Sequence, residues 1–320
     1  MRLFAVAGVV TLALAGATPA SAALSVLQSF VGSYDVSTAG CGSLGQACTL
    51  TVNAPVGAVV EKAFLYTSTF NNSTLDGVGG TFAGAGVSYT NLGVNGASCC
   101  ALAAGRADVT SIVAPVINGG AGGAYNFAYT ETSPTQDGGA LVLVYSLTGQ
   151  PATTIQVLDG FSSTTGDSAS LSFLTALNPA AAGFSAELRI GDGYSCCSQA
   201  SSISVNGTTI TNNAGNSDDG LGGTDGALIT VGDDNDPFSP FLPSYADDHE
   251  RYNLTPYITA GDTTLSFTTH NPTNDDNIFL AVLKVTGEAN IVTAVPEPAS
   301  LSLMALGILG LAAGRRRSCR

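Results

Sequence analysis

Residues 137–149 read Asp-Gly-Gly-Ala-Leu-Val-Leu-Val-Tyr-Ser-Leu-Thr-Gly, and residues 275–287 read Asp-Asp-Asn-Ile-Phe-Leu-Ala-Val-Leu-Lys-Val-Thr-Gly. Both runs open on an aspartate turn, place a valine seven positions later (Val144, Val282) and close on Thr-Gly. Each apolar stretch is short, rich in Val and Leu, and bounded by turn formers, which reads as a buried β-strand rather than a helix.

Four more landmarks accompany these runs, in the same order in each half. Glu61-Lys-Ala-Phe-Leu-Tyr66 alternates as Ser185-Ala-Glu-Leu-Arg-Ile190 does, and Val94-Asn95-Gly96 recurs as Val205-Asn206-Gly207. Arg106-Ala-Asp-Val-Thr110 recurs as Arg251-Tyr-Asn-Leu-Thr255, with an apolar residue three further on in each (Val113, Ile258). A run at Tyr125–Thr130 matches one at Leu265–Thr269. Five ordered landmarks argue for an internal repeat, against coincidence among short β motifs. Candidate strands include Thr49–Asn53, Val59–Ser68, Asp108–Val113, Ala140–Leu147, Ser185–Ile190, Thr263–Thr269 and Ile278–Val285. Glycine is abundant at 39 residues, tryptophan is absent, and no long run of 3.6-residue period stands outside the two hydrophobic ends. The expected fold is all-β: two tandem β-sandwich, jelly-roll-like domains at 23–150 and 151–290, related by internal duplication.

Gly96 and Arg106 stand 10 apart, whereas Gly207 and Arg251 stand 44 apart, so the second copy carries an insertion of about 34 residues within 208–250. Long loops on rigid β scaffolds are where function tends to sit. This one holds Asp218, Asp219, Asp225, Asp233, Asp234, Asp236, Asp247, Asp248 and Glu250, with no Lys or Arg before Arg251. Calcium takes about six to eight oxygen ligands from carboxylates, amides and carbonyls. Asp233, Asp234, Asn235 and Asp236, with Asp218, Asp219 and Asp225, are therefore candidate calcium ligands. Their spacing does not fit an EF-hand, and the competing reading is a solvated acidic loop. A second acidic turn, Asn274-Asp275-Asp276-Asn277, precedes the last strand.

Seven cysteines suit an oxidising compartment. Cys41 and Cys48 flank a short loop and are the first candidates for a local disulfide. The adjacent pairs Cys99-Cys100 and Cys196-Cys197 permit a vicinal ring, outward pairing between halves, or a soft-metal site, and spacing does not choose among them. Cys319 lies in the tail. Catalytic signatures are sparse. The two histidines, His249 and His270, stand in no His-Glu-x-x-His helix, and no Gly-x-Ser-x-Gly elbow or nucleotide-binding fingerprint occurs. A glycosidase needs only two well-placed carboxylates, which any part of this chain supplies.

The ends give an address. Arg2, the apolar run Leu3–Ala17 and Ala20-Ser21-Ala22 form a secretory signal peptide, with signal peptidase cleavage expected after Ala22. The last stretch combines Val295-Pro296-Glu297-Pro298, an apolar run at 299–313 too short for an ordinary span of about 20 residues, and the basic cluster Arg315, Arg316, Arg317. These three blocks, at 291–320, resemble the PEP-CTERM sorting tail read by exosortases in exopolysaccharide-making Gram-negative bacteria. The resemblance implies that Pro296-Glu297-Pro298 is the recognition element. It also implies transient inner-membrane anchoring through the tail helix, then delivery of the body to the cell surface or matrix.

Without both ends, the basic residues are Lys62, Arg106, Arg189, Arg251 and Lys284, against all 24 acidic ones, so residues 23–298 carry −19 (5 − 24). Such a surface repels phosphate backbones, which sets nucleic acid aside as a partner. The sequence therefore predicts an exported, non-enzymatic, structural or adhesive β-protein. The alternative is a calcium-dependent carbohydrate-binding module associated with exopolysaccharide, and a polysaccharide hydrolase ranks third.

Overall fold

A computed structural model describes residues 23–43, 47–94, 101–163, 165–193, 201–215, 219, 228–271 and 277–291. The signal peptide, the sorting tail, Cys99, Cys100, Cys196, Cys197, Asp218, Asp225 and the turn at 274–276 lie outside the described residues.

The chain forms β1 (Ser25–Gly32), β2 (Tyr34–Gly42), β3 (Ala47–Ala54), β4 (Val59–Thr69), β5 (Gly79–Phe82), β6 (Ala85–Ser88), β7 (Thr90–Val94) and β8 (Ala103–Asp108). After a helix, α1 (Thr110–Ile117), come β9 (Gly123–Glu131), β10 (Gly138–Ser146), β11 (Thr153–Asp159), β12 (Ser168–Ser172) and β13 (Ala186–Gly193). The remainder is β14 (Ser201–Val205), β15 (Thr208–Ala214), β16 (Thr230–Val231), β17 (Arg251–Asn253), β18 (Thr264–His270) and β19 (Asn277–Thr286). All strand pairings are antiparallel.

The all-β expectation holds, with four sheets among the described residues. Two central sheets, β2-β10-β4-β8-β7 and β1-β11-β19-β13-β16, pack face to face around one apolar cluster. From the first come Phe64, Tyr66, Val142 and Val144, and from the second Ile155, Val157, Leu280 and Val282. The other face of the first central sheet, with Leu141, Leu143 and Leu65, packs on Leu50, Val52, Phe82 and Phe127 of an outer sheet ordered β3-β9-β5-β6. A second outer sheet, β12-β18-β14-β15, buries Leu171, Ile203, Val205, Leu265 and Phe267.

This layering accounts for the two kinds of run in the sequence. β10 and β13 are buried along nearly their whole length because both faces are covered. The outer strands β3, β9 and β18 alternate between buried and exposed positions because one face meets solvent. Close approach of the central sheets leaves no room for a side chain at Gly193, where a Cβ would lie 2.6 Å from Ser68 Oγ on β4.

The sheet orders in the two halves correspond strand for strand: β2-β10-β4-β8 with β11-β19-β13-β17, and β3-β9-β5-β6 with β12-β18-β14-β15. One crossing breaks the division at residue 150. β1, from the first half, pairs with β11 in the central sheet of the second. The described residues from 23 to Ala289 belong to a single compact unit.

Three details differ from the sequence reading. First, 108–113 is not a strand; Asp108 ends β8, Val109 caps the helix, and Ile112 and Val113 belong to α1. Asp108 Oδ1 accepts from Thr110 N at 3.0 Å, turning the chain, and Val113 and Ile117, four apart, bury one helical face. Second, β2 is an edge strand of the first central sheet, and its small residues Ser37, Thr38 and Gly40 hide it from a hydrophobicity count. Third, Val94 and Val205 are not equivalent. Val94 ends β7 in a central sheet, whereas Asn206-Gly207 makes the tight β14–β15 hairpin of an outer sheet. The counterpart of that hairpin is Ala83-Gly84 between β5 and β6. Both turns pair a non-glycine residue with a glycine at positive φ (49° and 81°, against 47° and 79°). From these turns to the following arginine the two halves count 22 residues (106 − 84) and 44 (251 − 207), so the extra segment is about 22 residues long.

Candidate functional site

Alternation along β13 places Glu187 and Arg189 on one face and Leu188 and Ile190 on the other. Arg189 pairs in register with Arg251 on β17, and Glu187 with Lys284 on β19, so four charged side chains meet on one patch of strand surface. Glu187 binds all three cations, at 3.0 Å from Arg189, 3.3 Å from Arg251 and 3.9 Å from Lys284. Burial raises the Glu187 pKa, but the charges of Arg189, Lys284 and Arg251 outweigh it and hold the carboxyl below its ordinary range.

The candidate calcium ligands divide at this point. Asp234 turns toward Arg189 and also accepts from Ser37 on β2 and from Asn53 Nδ2 at 3.2 Å on β3. Burial opposes its ionisation, but the Arg189 charge and these hydrogen bonds prevail and lower its pKa. A carboxylate so engaged is a structural counter-ion. The surrounding cavity, about 500 Å³, is lined by Asp35, Tyr145, Glu187, Arg189, Phe238 and Arg251, among others. Arg251 lies over the Phe238 ring, 4.6 Å from its centroid, and donates to the carbonyls of Asp234 and Asp236.

Asp233 points elsewhere. With Asp219 and Asn235 it lines a cavity of about 670 Å³ beside β2 and β3. Its carboxyl is buried, Oδ1 has no hydrogen-bond partner, and its pKa is raised well above the usual range, by burial first and then by the negative charge of Asp219. Asp219 Oδ2 accepts from Val231 N at 2.7 Å, and Asp236 Oδ2 accepts from Asp233 N. Cys41 and Cys48, joined as a disulfide with Cα atoms 6.5 Å apart, form part of the same wall. Among the described residues no group of three or more His, Cys, Asp or Glu side chains is arranged to hold a metal ion.

Two further carboxylates of the insertion, Asp248 and Glu250, are built into the body. Asp248 is fully buried and accepts from Thr211 on β15, Ser239, Tyr252 on β17 and Glu250 N. Glu250 is equally buried and accepts from Gly215 N at 3.0 Å and Thr230 Oγ1 at 2.9 Å. Of the histidines, His249 donates its backbone N–H to Ser239 Oγ at 2.8 Å, and His270 ends β18 opposite Ser202. Reasoning from motifs missed Arg189, Glu187, Lys284 and Asp35. The available signal was a pair of opposite charges, Glu187 and Arg189, sharing one face of an otherwise apolar buried strand.

Comparison with known proteins adds the following. No curated protein matches the chain. Among solved structures, BpGH86A, a β-porphyranase of glycoside hydrolase family 86 from the human gut bacterium Bacteroides plebeius, aligns at 13% identity with a TM-score of 0.22. The alignment covers 86% of this chain and 38% of the porphyranase, and at that level of likeness it carries no argument about activity. Residues 294–317 match the family model of the PEP-CTERM protein-sorting motif, the tail identified above from its three blocks. That motif marks the chain as an exported, exosortase-targeted protein of the cell envelope.

Proposed function

We propose that the body is a non-catalytic structural or adhesive component of a Gram-negative cell surface or extracellular matrix. In this reading the tail helix holds it briefly in the inner membrane until exosortase acts at Pro296-Glu297-Pro298. Two tandem β-sandwich repeats, descended from one duplicated unit, make up the body. The matched sheet orders and the matched turns at Ala83-Gly84 and Asn206-Gly207 support that descent. The observation that carries the functional reading is the fate of the insertion. Asp234, Asp248 and Glu250 serve as internal ties, which suits a rigid structural body. The test is truncation after Ala294, compared with the full chain in cells with and without exosortase. The truncated body is expected to fold and to miss the envelope destination. Normal surface delivery of the truncated chain, or of the full chain without exosortase, would refute the address.

A second reading, a calcium-dependent carbohydrate-binding module, draws on Asp233. A buried carboxyl with an open oxygen beside Asp219 favours a hard cation. Saturating calcium should then raise the melting temperature, reversibly with chelator. Identical melting curves in calcium and in chelator would remove this reading and leave the structural one intact.

A further inference from the structure

Beside the β14–β15 hairpin lies a cavity of about 420 Å³, lined by Thr208, Tyr257, Thr259, Asp262 and Thr264, among others. The Asn206 side chain fixes its walls. Nδ2 donates to the Tyr257 carbonyl at 2.9 Å, and Oδ1 accepts from Ser266 N at 3.0 Å, which holds the hairpin, the turn at Thr255–Tyr257 and β18 together. The matching positions in the first half are Ala83 and Ile112, which offer neither the amide nor the ring.

The lining presents groups that the protein itself leaves unused. Among the described residues, the hydroxyls of Thr208, Tyr257, Thr259 and Thr264 make no hydrogen bond, and the three threonines are exposed. Asp262 uses Oδ2, which accepts from Thr259 N at 2.8 Å, and keeps Oδ1 open. The Tyr257 ring is continued by that of Phe241, with centroids 6.3 Å apart and planes at 37°. Phe241 is 61% exposed. Pro240 and Pro243 flank Phe241 and Leu242, and Leu242 holds a left-handed backbone (φ 52°) with its N–H on Ile210 O. A proline-stiffened, strained segment that keeps an aromatic ring in solvent is pre-organised for a ligand.

Charge defines the kind of ligand. β12, β14, β15 and β18 contain no Asp, Glu, Lys or Arg, in a body of formal charge −19 (5 − 24). Thr264, Ser266 and Thr268 pair in register with Ser172, Ser170 and Ser168, so Thr264 joins the cavity to a sheet face of hydroxyl groups. Among the described residues no cation lines the cavity, and Asp262 repels an anion. An aromatic face beside open hydroxyls and one free carboxylate oxygen suits a neutral sugar, whose C–H face meets the ring while its hydroxyls find both donors and acceptors.

We infer that this cavity binds a neutral oligosaccharide, one sugar ring lying against Tyr257 with its hydroxyls on Thr208, Thr259, Asp262 and Thr264, and the next reaching toward Phe241. This binding rests on the adhesive reading above and gives it a ligand class; it needs neither Asp233 nor calcium.

The test uses the full-length chain purified in detergent, titrated calorimetrically with cellotetraose, maltotetraose, mannotetraose and tetragalacturonate, with and without chelator. At least one neutral sugar should bind saturably, about tenfold or more tighter than tetragalacturonate and equally in chelator. Tyr257→Ala and Phe241→Ala should each weaken it about tenfold, and Lys62→Gln, at an exposed ion pair on β4, should leave it unchanged. Phe241→Ala, at an exposed ring, keeps the test valid if Tyr257→Ala perturbs the fold. Binding that survives both ring substitutions, binding lost in chelator, equal binding of tetragalacturonate, or no binding of any neutral sugar would overturn the assignment. A chain that binds no sugar yet reaches the surface through exosortase leaves the structural reading standing, so the two failures are told apart.

Discussion

Arg189 on β13 donates through Nη1 both to Asp234 in the insertion and, at 2.7 Å, to Thr38 Oγ1 on β2. A single guanidinium thereby joins the insertion to both central sheets. Removing one partner of a buried ion pair leaves an uncompensated charge, which typically costs about 3–5 kcal/mol. Asp234→Ala should approach that loss in urea unfolding, and Asp234→Asn, which keeps a hydrogen-bonding group, should lose less. A change within about 0.5 kcal/mol for Asp234→Ala, the range of an ordinary surface substitution, would mean that the tie is not structural. Asp234 and Glu187 have folded-state pKa values held below their unfolded ones. Their contribution is therefore complete above the unfolded carboxylate pKa and declines as pH falls through the folded value.

Asp233 has the opposite sign. Its folded-state pKa is raised, by burial and then by Asp219, so the folded state retains a proton that the unfolded state releases. Stability from this group is complete below the unfolded pKa of about 3.9 and is lost as pH rises through the folded value. Asp233→Asn should raise the melting temperature at pH 8 by several degrees and change it little at pH 4, in chelator at both. Equal effects at the two pH values would show that Asp233 is not protonated on folding.

The Cys41–Cys48 bridge spans seven positions of sequence. Closing so short a loop stabilises the fold by about 2–3 kcal/mol in the chain-entropy account. For a body of this size each kcal/mol shifts the melting temperature by about 2 °C, so the double Cys41→Ala, Cys48→Ala variant should melt about 4–6 °C lower. An unchanged melting point would show that the bridge constrains nothing.

Asp108 Oδ1 accepts from Thr110 N, and Asn253 Oδ1 from Thr255 N, both at 3.0 Å. Equivalent turns should respond alike, so Asp108→Ala and Asn253→Ala are each expected to cost about 1 kcal/mol in chemical denaturation. A loss at one position and none at the other would show that the matched geometry is not energetically matched.

Much of the architecture was legible in linear pattern. The apolar runs around Val144 and Val282 became the middle strands of the two central sheets, and the alternating run at Thr49–Asn53 became an outer strand. The failures share a cause. β2 was invisible because Asp219 and Val231 close onto it and leave no room for a side chain at Gly40, and Gly40 and Ser37 carry no hydrophobic signal. The β-branched residues of 108–113 resembled a strand because propensity does not register the Asp108 turn that starts a helix. Val94-Asn95-Gly96 matched Val205-Asn206-Gly207 in letters while Val94 occupied a different layer.

The candidate site divides in the same manner. The sequence located the acidic insertion and made its aspartates look equivalent. Asp233 and Asp234 are adjacent, yet neighbouring side chains diverge. One enters a cavity beside Asp219, and the other closes onto Arg189, 45 positions away in sequence.

By itself the sequence determined the PEP-CTERM tail, the acidic body and the all-β class, because each is carried by contiguous residues or by composition. Only the tertiary structure decided the face-to-face packing of the two central sheets, the crossing of β1 into the second half's sheet and the gathering of three cations around Glu187. Those outcomes rest on contacts between distant segments, where burial makes each charge seek a partner that no local pattern specifies.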